Sequence, residues 1–313
     1  MGAKVIVALS ALIVWSGGTR AQQFFRSTTV SVSVNASVKK GNNVVANLTA
    51  NDFRLTDNGV AQTIEAVSIA SVPVDVTLFL DTSGSTEGKL DQMKKDVQGI
   101  VGLLRPGDKF RLLTIGDSVY ESVGWVPAGT KLDLSFTAVG GISLIQDALV
   151  MALLHRTEPE RRHLVVGLTD RQDCGSVVPA GLLLDLASRS EAVVHIIDES
   201  GGGGPGRYRV RSCSPRARPD GTQLIRDAAE RTGGELHTGS FFFRSSSIIK
   251  AFKQIFDEFR QSYVLRYSPQ GVEPVGWHAI QVTVPLVQKA TVRARQGYYA
   301  TKARGLTRPP AGL

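Results

Sequence analysis

The chain has 313 residues, a formal net charge of +8 at pH 7 and two cysteines. Its length allows one large domain, or one domain of medium size with attachments. Two cysteines are too few for a disulfide framework, and they exclude a zinc site built from several thiolate ligands.

The first 21 residues have the pattern of a secretory signal peptide. Lys4 precedes an apolar stretch of eleven residues from Val5 to Trp15, and Thr19-Arg20-Ala21 resembles a cleavage site of small residues. A membrane span needs ~20 apolar residues, so this stretch is too short for one. We therefore expect residues 1–21 to be removed and the protein to be exported, either to a periplasm or to the medium. An apolar N-terminus that is retained is the alternative.

The next segment, residues 22–72, is predicted to be a β region. Val30, Val32 and Val34 alternate with polar residues, as in a strand with one exposed face. Turn signals follow at Gly41-Asn42-Asn43 and at Asp57-Asn58-Gly59. These short strands are expected to add to the domain that follows.

The most informative segment is an apolar strand that ends in a carboxylate. Val74 to Leu80 is almost continuously hydrophobic, as in strands buried on both faces of a parallel sheet. Asp81, Ser83 and Ser85 follow at alternate positions, at the end of the strand where open α/β sheets bind ligands. Three hard oxygen donors suit a small cation such as Mg²⁺. The same residue types also favour turns and helix caps, so a strand-to-helix connection without metal is the alternative.

Strands and helices alternate from residue 73 to residue 263. Short apolar runs are followed by apolar stripes of helical period, and this alternation predicts a parallel sheet with helices on its faces. The predicted strands are 74–80, 110–115, 119–126, 164–168 and 193–197, and the predicted helices are 90–104, 144–154, 181–188, 224–232 and 248–259.

An insertion rich in glycine and arginine interrupts this domain at residues 201–220. Glycines and prolines separate its five arginines, as is typical of a loop: Arg207, Arg209, Arg211, Arg216 and Arg218. Tyr208 is the sole aromatic residue of the insertion, so base stacking on nucleic acid is not supported. The insertion could present a site for an acidic partner or remain a solvated loop.

The two cysteines, Cys174 and Cys213, could form a disulfide bond in an oxidising compartment. Such a bond would hold the insertion close to residue 170. Two unpaired thiols fit the sequence equally well, because the sequence does not give the distance between them.

The C-terminal flank, residues 264–300, returns to an alternating β pattern, most clearly at 280–284 and 290–294. Both flanks are therefore expected to add β structure to the central domain, and one shared sheet would accommodate them. The remaining residues, 301–313, contain several Lys, Arg and Pro residues and are expected to be disordered.

The segment around Asp81 resembles the metal-ion-dependent adhesion site of von Willebrand factor type A domains. That site also uses a hydroxyl from a loop that opens a helix, and an aspartate at the end of another strand. Ser143, which precedes Gln146-Asp147-Ala148-Leu149, stands at the usual threonine position, and Asp170 ends the strand that begins near His163.

This resemblance implies a fold, a ligand set and a function. The fold is a Rossmann-like, doubly wound, mainly parallel sheet flanked by helices over residues 73–263. Ser83, Ser85 and Ser143 are the implied direct ligands of Mg²⁺ or Mn²⁺, while Asp81 and Asp170 supply negative charge. One coordination position stays open for an acidic residue of a protein partner, so the implied function is metal-dependent adhesion.

The chain departs from the family pattern at two positions. Ile142 replaces a glycine, and Arg171 follows Asp170 where glycine is usual. A guanidinium beside a dication would weaken metal binding unless it points away or pairs with an acid, for which Asp173 is the candidate. A structural domain with a vestigial metal site is therefore an alternative function.

Both flanks are also similar to those of a group of exported bacterial proteins with a type A domain, many of them acidobacterial. The similar segments are residues 48–53 together with Asp57-Asn58-Gly59 before the domain, and residues 294–299 after it.

No catalytic motif accompanies the predicted metal site. The chain lacks Gly-x-Ser-x-Gly and His-Glu-x-x-His patterns, and its five histidines are scattered along the sequence. His163 and His195 fall in predicted strands, where structural histidines are expected. We therefore predict a protein-binding module that is not an enzyme, does not bind nucleic acid and has no membrane span. A metal-dependent hydrolase is the less favoured alternative, because it would need a general base near the metal.

Overall fold

The computed structural model describes residues 31–69, 72–82, 84–137, 143–155, 157–158, 161–169, 173, 175–198, 221–238 and 248–301. The predicted signal peptide, the insertion at 201–220 and the C-terminal residues 302–313 lie outside these ranges. Among the described residues, no helix is long and apolar enough to cross a membrane.

A six-stranded sheet forms the centre of the molecule. In chain order its strands are β6 (Val74–Asp81), β7 (Lys109–Ile115), β8 (Val119–Pro127), β9 (Arg162–Thr169), β10 (Val193–Asp198) and β11 (Glu235–His237). Their spatial order is β11-β10-β9-β6-β7-β8, and all pairs are parallel except β7 with the edge strand β8. Numbered from β6, this is the 3-2-1-4-5-6 order of a doubly wound α/β fold. The predicted Rossmann-like, mainly parallel sheet is therefore confirmed.

Helices cover both faces of this sheet, because alternate side chains of its strands point to opposite sides. The described helices are α1 (Leu90–Leu103), α2 (Ile145–Leu153), α3 (Ala180–Arg189), α4 (Gly221–Arg231) and α5 (Ile248–Gln261). Leu78 and Leu80 of β6 pack in one hydrophobic cluster with α1 and α5. Phe79, between them, packs in a second cluster with α2, α3 and α4. Every residue of β6 is buried, as its continuous apolar sequence predicts.

Close packing between β6 and β9 depends on a glycine. Gly167 of β9 pairs with Phe79 of β6, and a Cβ at position 167 would overlap the Phe79 ring. Hence the Phe79 side chain occupies the space that any larger residue at 167 would need.

The two flanks form two further antiparallel sheets in which N-terminal and C-terminal strands alternate. These strands are β1 (Val32–Lys40), β2 (Asn43–Val44), β3 (Arg54–Asp57), β4 (Val60–Gln62), β5 (Ala66–Ile69), β12 (Tyr263–Tyr267), β13 (Gly276–Thr283), β14 (Ala290–Ala294) and β15 (Gly297–Ala300). One sheet has the order β14-β1-β12-β5, with β2 paired to β1, and the other has the order β15-β13-β3-β4. The predicted β additions are thus present, but they form two sheets rather than one. Alternating apolar residues of β1, β12 and β13 build the core of this region.

An ionic network joins the flanking strands to the central domain. Glu258 of α5 accepts hydrogen bonds from Ser37 Oγ and Lys39 Nζ of β1, each at 2.7 Å. Arg293 of β14 pairs with Glu258 and also with Glu235 in the edge strand β11 of the central sheet. Since these groups come from β1, β11, β14 and α5, the network ties both chain flanks to one edge of the central sheet.

Replacement of Gly167 by alanine should lower the free energy of unfolding by about 1–3 kcal/mol, because Phe79 must leave its position to admit a methyl group. Gly124→Ala on β8 is the matched control, since a Cβ there meets nothing within 4 Å. Chemical denaturation of both variants measures the difference. A Gly167→Ala protein as stable as the control would contradict this account of the packing.

Acid should weaken the ionic network at Glu258. Burial would raise the pKa of Glu258, but the hydrogen bond from Lys39 and the charge of Arg293 outweigh it and lower the pKa from 4.5 to about 2. A carboxyl whose pKa is lower in the folded state contributes stability above its unfolded pKa and loses it as the pH falls through the folded value. The protein should therefore lose about 2–3 kcal/mol from this group between about pH 4.5 and pH 2.

Urea denaturation across that pH range checks the loss at Glu258. Glu258→Gln should be less stable at neutral pH and should lack this part of the acid sensitivity. Asp257→Asn, which removes an exposed carboxylate paired with Lys253 on the same helix, should change stability by less than ~0.5 kcal/mol. Equal acid sensitivity in wild type and Glu258→Gln would refute the role of Glu258.

Candidate metal centre

The candidate site lies where the winding of the central sheet changes direction. From β6 the chain passes to β7 on one side, whereas from β9 it passes to β10 on the other side. Since β6 and β9 are parallel neighbours, their carboxyl ends lie side by side, with Asp81 ending β6 and Thr169 ending β9. Open α/β sheets bind ligands in the crevice at such a switch point.

Asp81 is held at this edge by hydroxyl groups. Its side chain is buried, and its Oδ2 accepts a hydrogen bond from Ser143 Oγ at 2.9 Å and one from Thr169 Oγ1 at 3.4 Å. Thr82, the next residue, donates both its backbone N–H and its Oγ1–H to the carbonyl of Ile115 at the end of β7. The end of β6 is therefore fixed to both of its neighbours.

Ser143 reaches Asp81 from a segment that precedes α2. It forms an isolated parallel bridge with Asp173, which lies beyond β9 in the chain. The Asp173 carboxylate accepts the backbone N–H of Gln146 at 2.8 Å and the hydroxyl of Ser176 at 2.6 Å. These bonds join the start of α2 to the loop after β9, and they set the position of Ser143.

Asp147 strengthens the same connection from the other side. Its two carboxylate oxygens accept the backbone N–H groups of Val177 and Val178 at 3.1 and 3.0 Å, while its own N–H donates to Ser176 Oγ at 3.2 Å. Asp147 and Asp173 thus act as reciprocal hydrogen-bond acceptors between the start of α2 and the loop after β9. The sequence motifs predicted this role for neither residue. The spacing Asp173-x-x-Ser176 favours a local hydrogen bond between side chain and backbone, and it is the sequence pattern that could have predicted the role of Asp173.

Two of the five predicted ligands, Asp81 and Ser143, are therefore in direct contact. Ser83 and Asp170 lie outside the described residues, and Ser85 is described in its backbone alone. Cys174, Cys213, Ile142 and Arg171 also lie outside them, so the predicted disulfide and both departures from the family pattern stay predictions. Gln146 and Ser176 are the described partners of Asp173, which was expected to pair with Arg171.

The chemistry of the oxygens at this edge fits a hard divalent cation. Among the described residues, no group of three His, Cys, Asp or Glu side chains could hold a metal ion. A hydroxyl carries one O–H donor and two lone pairs. Ser143 gives its proton to Asp81, so its lone pairs remain able to bind a cation. The separation of 2.9 Å between these two oxygens also matches adjacent ligands of an octahedral Mg²⁺ with bonds of about 2.0–2.1 Å.

The histidines form pairs in space that their sequence positions do not reveal. His195 Nδ1 and His237 Nε2 lie 2.9 Å apart on neighbouring strands, and the rings of His155 and His163 have centroids 4.9 Å apart. Burial and the neighbouring His155 lower the pKa of His163 to about 3, so the ring is neutral at physiological pH. Its Nε2 lies 2.9 Å from Thr77 Oγ1 on β6.

Replacement of Asp147 by alanine should lower the free energy of unfolding by about 1–3 kcal/mol, because two backbone N–H groups lose a charged acceptor. Asp147→Asn, which keeps one acceptor oxygen, should fall between wild type and Asp147→Ala. Asp185→Ala is the control, since it removes an exposed carboxylate that pairs with Arg189 within α3. Thermal and urea denaturation measure the series, and equal stability of Asp147→Ala and Asp185→Ala would contradict the role of Asp147.

Comparison with known proteins gives matches among solved structures. No protein-family model and no curated protein matches the chain. A von Willebrand factor type A structure from Catenulispora acidiphila is 12% identical with a TM-score of 0.43, and the match covers 89% of this chain and 76% of that one. An aerotolerance-related membrane protein from Bacteroides fragilis is 16% identical with a TM-score of 0.40, over 59% of this chain and 98% of that one.

A third match is proximal thread matrix protein 1 from the mussel byssus, with a zinc-occupied MIDAS motif. It is 17% identical with a TM-score of 0.43, over 65% of this chain and 49% of that one, so this chain spans about half its length. These TM-scores are low, so the fold of the present chain is established by its own strand order and not by the matches. In its sequence motifs and in the fold that surrounds them, the chain is similar to von Willebrand factor type A domains.

Proposed function

We propose that this protein is a metal-dependent protein-binding module in which an acidic side chain of a partner completes the coordination of a divalent cation. The observation that carries the proposal is the hydrogen bond of 2.9 Å from Ser143 Oγ to Asp81 Oδ2. These residues are 62 positions apart in the sequence, and the fold brings them together at the switch point of the sheet.

Asp81 and Ser143 would hold the cation, together with Ser83, Ser85 and Asp170 of the sequence motif. All five offer hard oxygen atoms, which favour Mg²⁺ or Mn²⁺ over metals that prefer sulfur. The byssus protein holds zinc in its MIDAS motif. For the present chain, the preference for Mg²⁺ or Mn²⁺ follows from the oxygen ligands alone.

The hydroxyl ligands explain why the partner should present a carboxylate. When bound, the cation supplies a Lewis-acidic position for an oxygen of the partner. Serine hydroxyls are neutral, so they leave more of the cation's positive charge uncompensated than carboxylate ligands would. Ser143 is oriented by Asp81, and its loop is held by Asp173 and Asp147, so the hydroxyl is positioned before metal binds.

The proposed location is outside the cytoplasm, in a periplasm or the medium, and the proposed role is adhesion. The signal-peptide pattern at residues 1–21 supports this location. A partner with an exposed Asp or Glu would then bind at the Asp81 edge of the sheet. Nucleic acid is not a proposed partner.

A structural domain with a vestigial site is the competing function. The substitution of Ile142 and Arg171 for the glycines of the family motif favours it, because both flank proposed ligands. The two functions differ in whether the protein binds a divalent cation at all, and titration with metal separates them.

Titration of the exported protein with Mg²⁺ or Mn²⁺ by calorimetry should show saturable binding. Asp81→Ala and Ser143→Ala should weaken this binding by at least about tenfold, or ~1.4 kcal/mol, because each removes a ligand or the group that orients one. Ser143→Thr is the matched control, since threonine keeps the hydroxyl and should bind with nearly wild-type affinity. Partner capture from the native exported fraction should disappear when a chelator is added.

The absence of metal binding at millimolar concentration, or affinity unchanged in Asp81→Ala, would refute the proposed metal centre. If the protein binds metal but captures its partner equally well with and without the chelator, a structural role is favoured instead. Hydrolytic turnover that is lost on metal removal would favour a metal-dependent hydrolase over an adhesion module.

A further inference from the structure

A cavity of about 700 Å³ lies near the amino-terminal end of β9, at the edge of the central sheet opposite the metal centre. Parts of α2, α3 and β9 form its central-domain side, and residues of β1 and β12 form its flanking side. This volume is within the range of about 300–1,000 Å³ that small-molecule sites occupy.

Arginine dominates the charge of the cavity wall. Among the described residues, the wall contains five arginines, Arg161, Arg162, Arg189, Arg266 and Arg295, and two acids, Glu158 and Glu191. Glu158 pairs with Lys109 at 3.0 Å, so its charge is already partly compensated. The described wall therefore carries an excess of positive charge.

Arg162 is the most unusual of these side chains. The residue is 6% exposed, and its guanidinium donates to neutral oxygens of Asn35, Phe259 and Ser262 at 2.9, 3.0 and 2.6 Å. Burial, with a further contribution from the charge of Arg260, lowers the pKa of Arg162 to about 9. A guanidinium has five N–H donors, and three are used here. None of these described bonds is to a carboxylate.

Arg295, which also lines the cavity, is in a similar environment. It is 9% exposed and donates to the carbonyl oxygens of Gly297 and Ser188 at 2.7 and 3.1 Å. Burial lowers its pKa, and the charge of Glu191 opposes that shift. Glu191 is exposed, so water screens much of its charge.

Arg161 and Arg189 differ because each has an acidic partner. Arg161 pairs with the buried carboxylate of Asp75, which also accepts a bond from His155. Burial would raise the pKa of Asp75, but these hydrogen bonds outweigh it and lower the pKa. Arg189 pairs with Asp185 at 2.8 Å. Among Arg161, Arg162, Arg189 and Arg295, the two whose described hydrogen bonds go to neutral oxygens alone are thus Arg162 and Arg295.

We propose that this cavity binds a small organic molecule that carries an oxyanion group, either a phosphate or a carboxylate. A buried charge without a counter-ion is costly, and an anion between Arg162 and Arg295 would offset that cost. Guanidinium groups present paired N–H donors that match both kinds of oxyanion. The volume exceeds that of a bare phosphate, and Leu153, Leu154 and Val264 offer apolar contact to an organic part.

Calorimetric titration of the exported protein tests this proposal with three probes: inorganic phosphate, ribose 5-phosphate and succinate. Each titration is made at constant ionic strength, with chloride as the reference anion. At least one organic probe should bind saturably and more tightly than inorganic phosphate, and should raise the melting temperature. A preference for ribose 5-phosphate identifies a phosphate ligand, and a preference for succinate identifies a carboxylate ligand.

Substitutions in the cavity wall test whether the anion binds in this cavity. Arg162→Gln should weaken binding by at least about tenfold, because it removes the buried cation. Arg189→Gln should fold normally, since its side chain is partly exposed, and should weaken binding by about threefold through the loss of a nearby charge. Lys95→Gln, which removes an exposed positive charge on α1, is the control and should leave binding unchanged. Asp81→Ala should also leave it unchanged.

The proposal is overturned if none of the probes binds saturably to the wild-type protein at up to about 10 mM. It is also overturned if Lys95→Gln weakens binding as much as Arg189→Gln does, because the anion would then respond to overall charge rather than to this cavity.

Discussion

The burial of β6 on both faces is the constraint on which the rest of the structure depends. A strand with no exposed side needs helices above and below, and parallel neighbours at both edges. Since the chain leaves β6 toward β7 and returns on the opposite side as β9, a crevice opens between the ends of β6 and β9. The carboxylate of Asp81 lies at this crevice because it ends the strand. The position of the candidate metal centre therefore follows from the packing of the strand.

The hydrogen bonds around Asp81 show how loops can be held in place beside such a crevice. Asp173 accepts a backbone N–H at the start of α2, Asp147 accepts two backbone N–H groups of the loop after β9, and Ser176 contacts both. Charged acceptors for backbone donors are among the stronger hydrogen bonds in proteins. These three polar residues, one at the start of α2 and two in the loop after β9, thereby fix the Ser143 hydroxyl next to Asp81. A binding site on loops needs this support, because loops have few apolar contacts of their own.

The sequence predicted the mainly parallel sheet and its flanking helices because their signals are local. The apolar run of β6 and the helical stripes of α1 and α5 are each visible within one short window. Motif spacing grouped Asp81 with Ser143, and a hydrogen bond of 2.9 Å joins their side chains. The sequence did not predict that the flanks form two separate sheets. In these sheets β1 pairs with β12 and β3 pairs with β13, and no local sequence pattern identifies strand partners so far apart in the chain. The sequence likewise did not reveal the contacts of Arg162 with Asn35 and Ser262, since they join residues 127 and 100 positions apart in the chain.

The pairing of β1 has a consequence for the order of folding. This strand precedes the central domain in the chain, yet both of its long neighbours, β12 and β14, follow that domain. Ser37 and Glu258, which the pairing brings together, are separated by 221 positions. Contacts over such separations form slowly, because the intervening chain must first be ordered. Among the described strands, β1 is the first to leave the ribosome, and we expect it to be among the last to find its partners. Until then, its unpaired backbone edges are open to other chains.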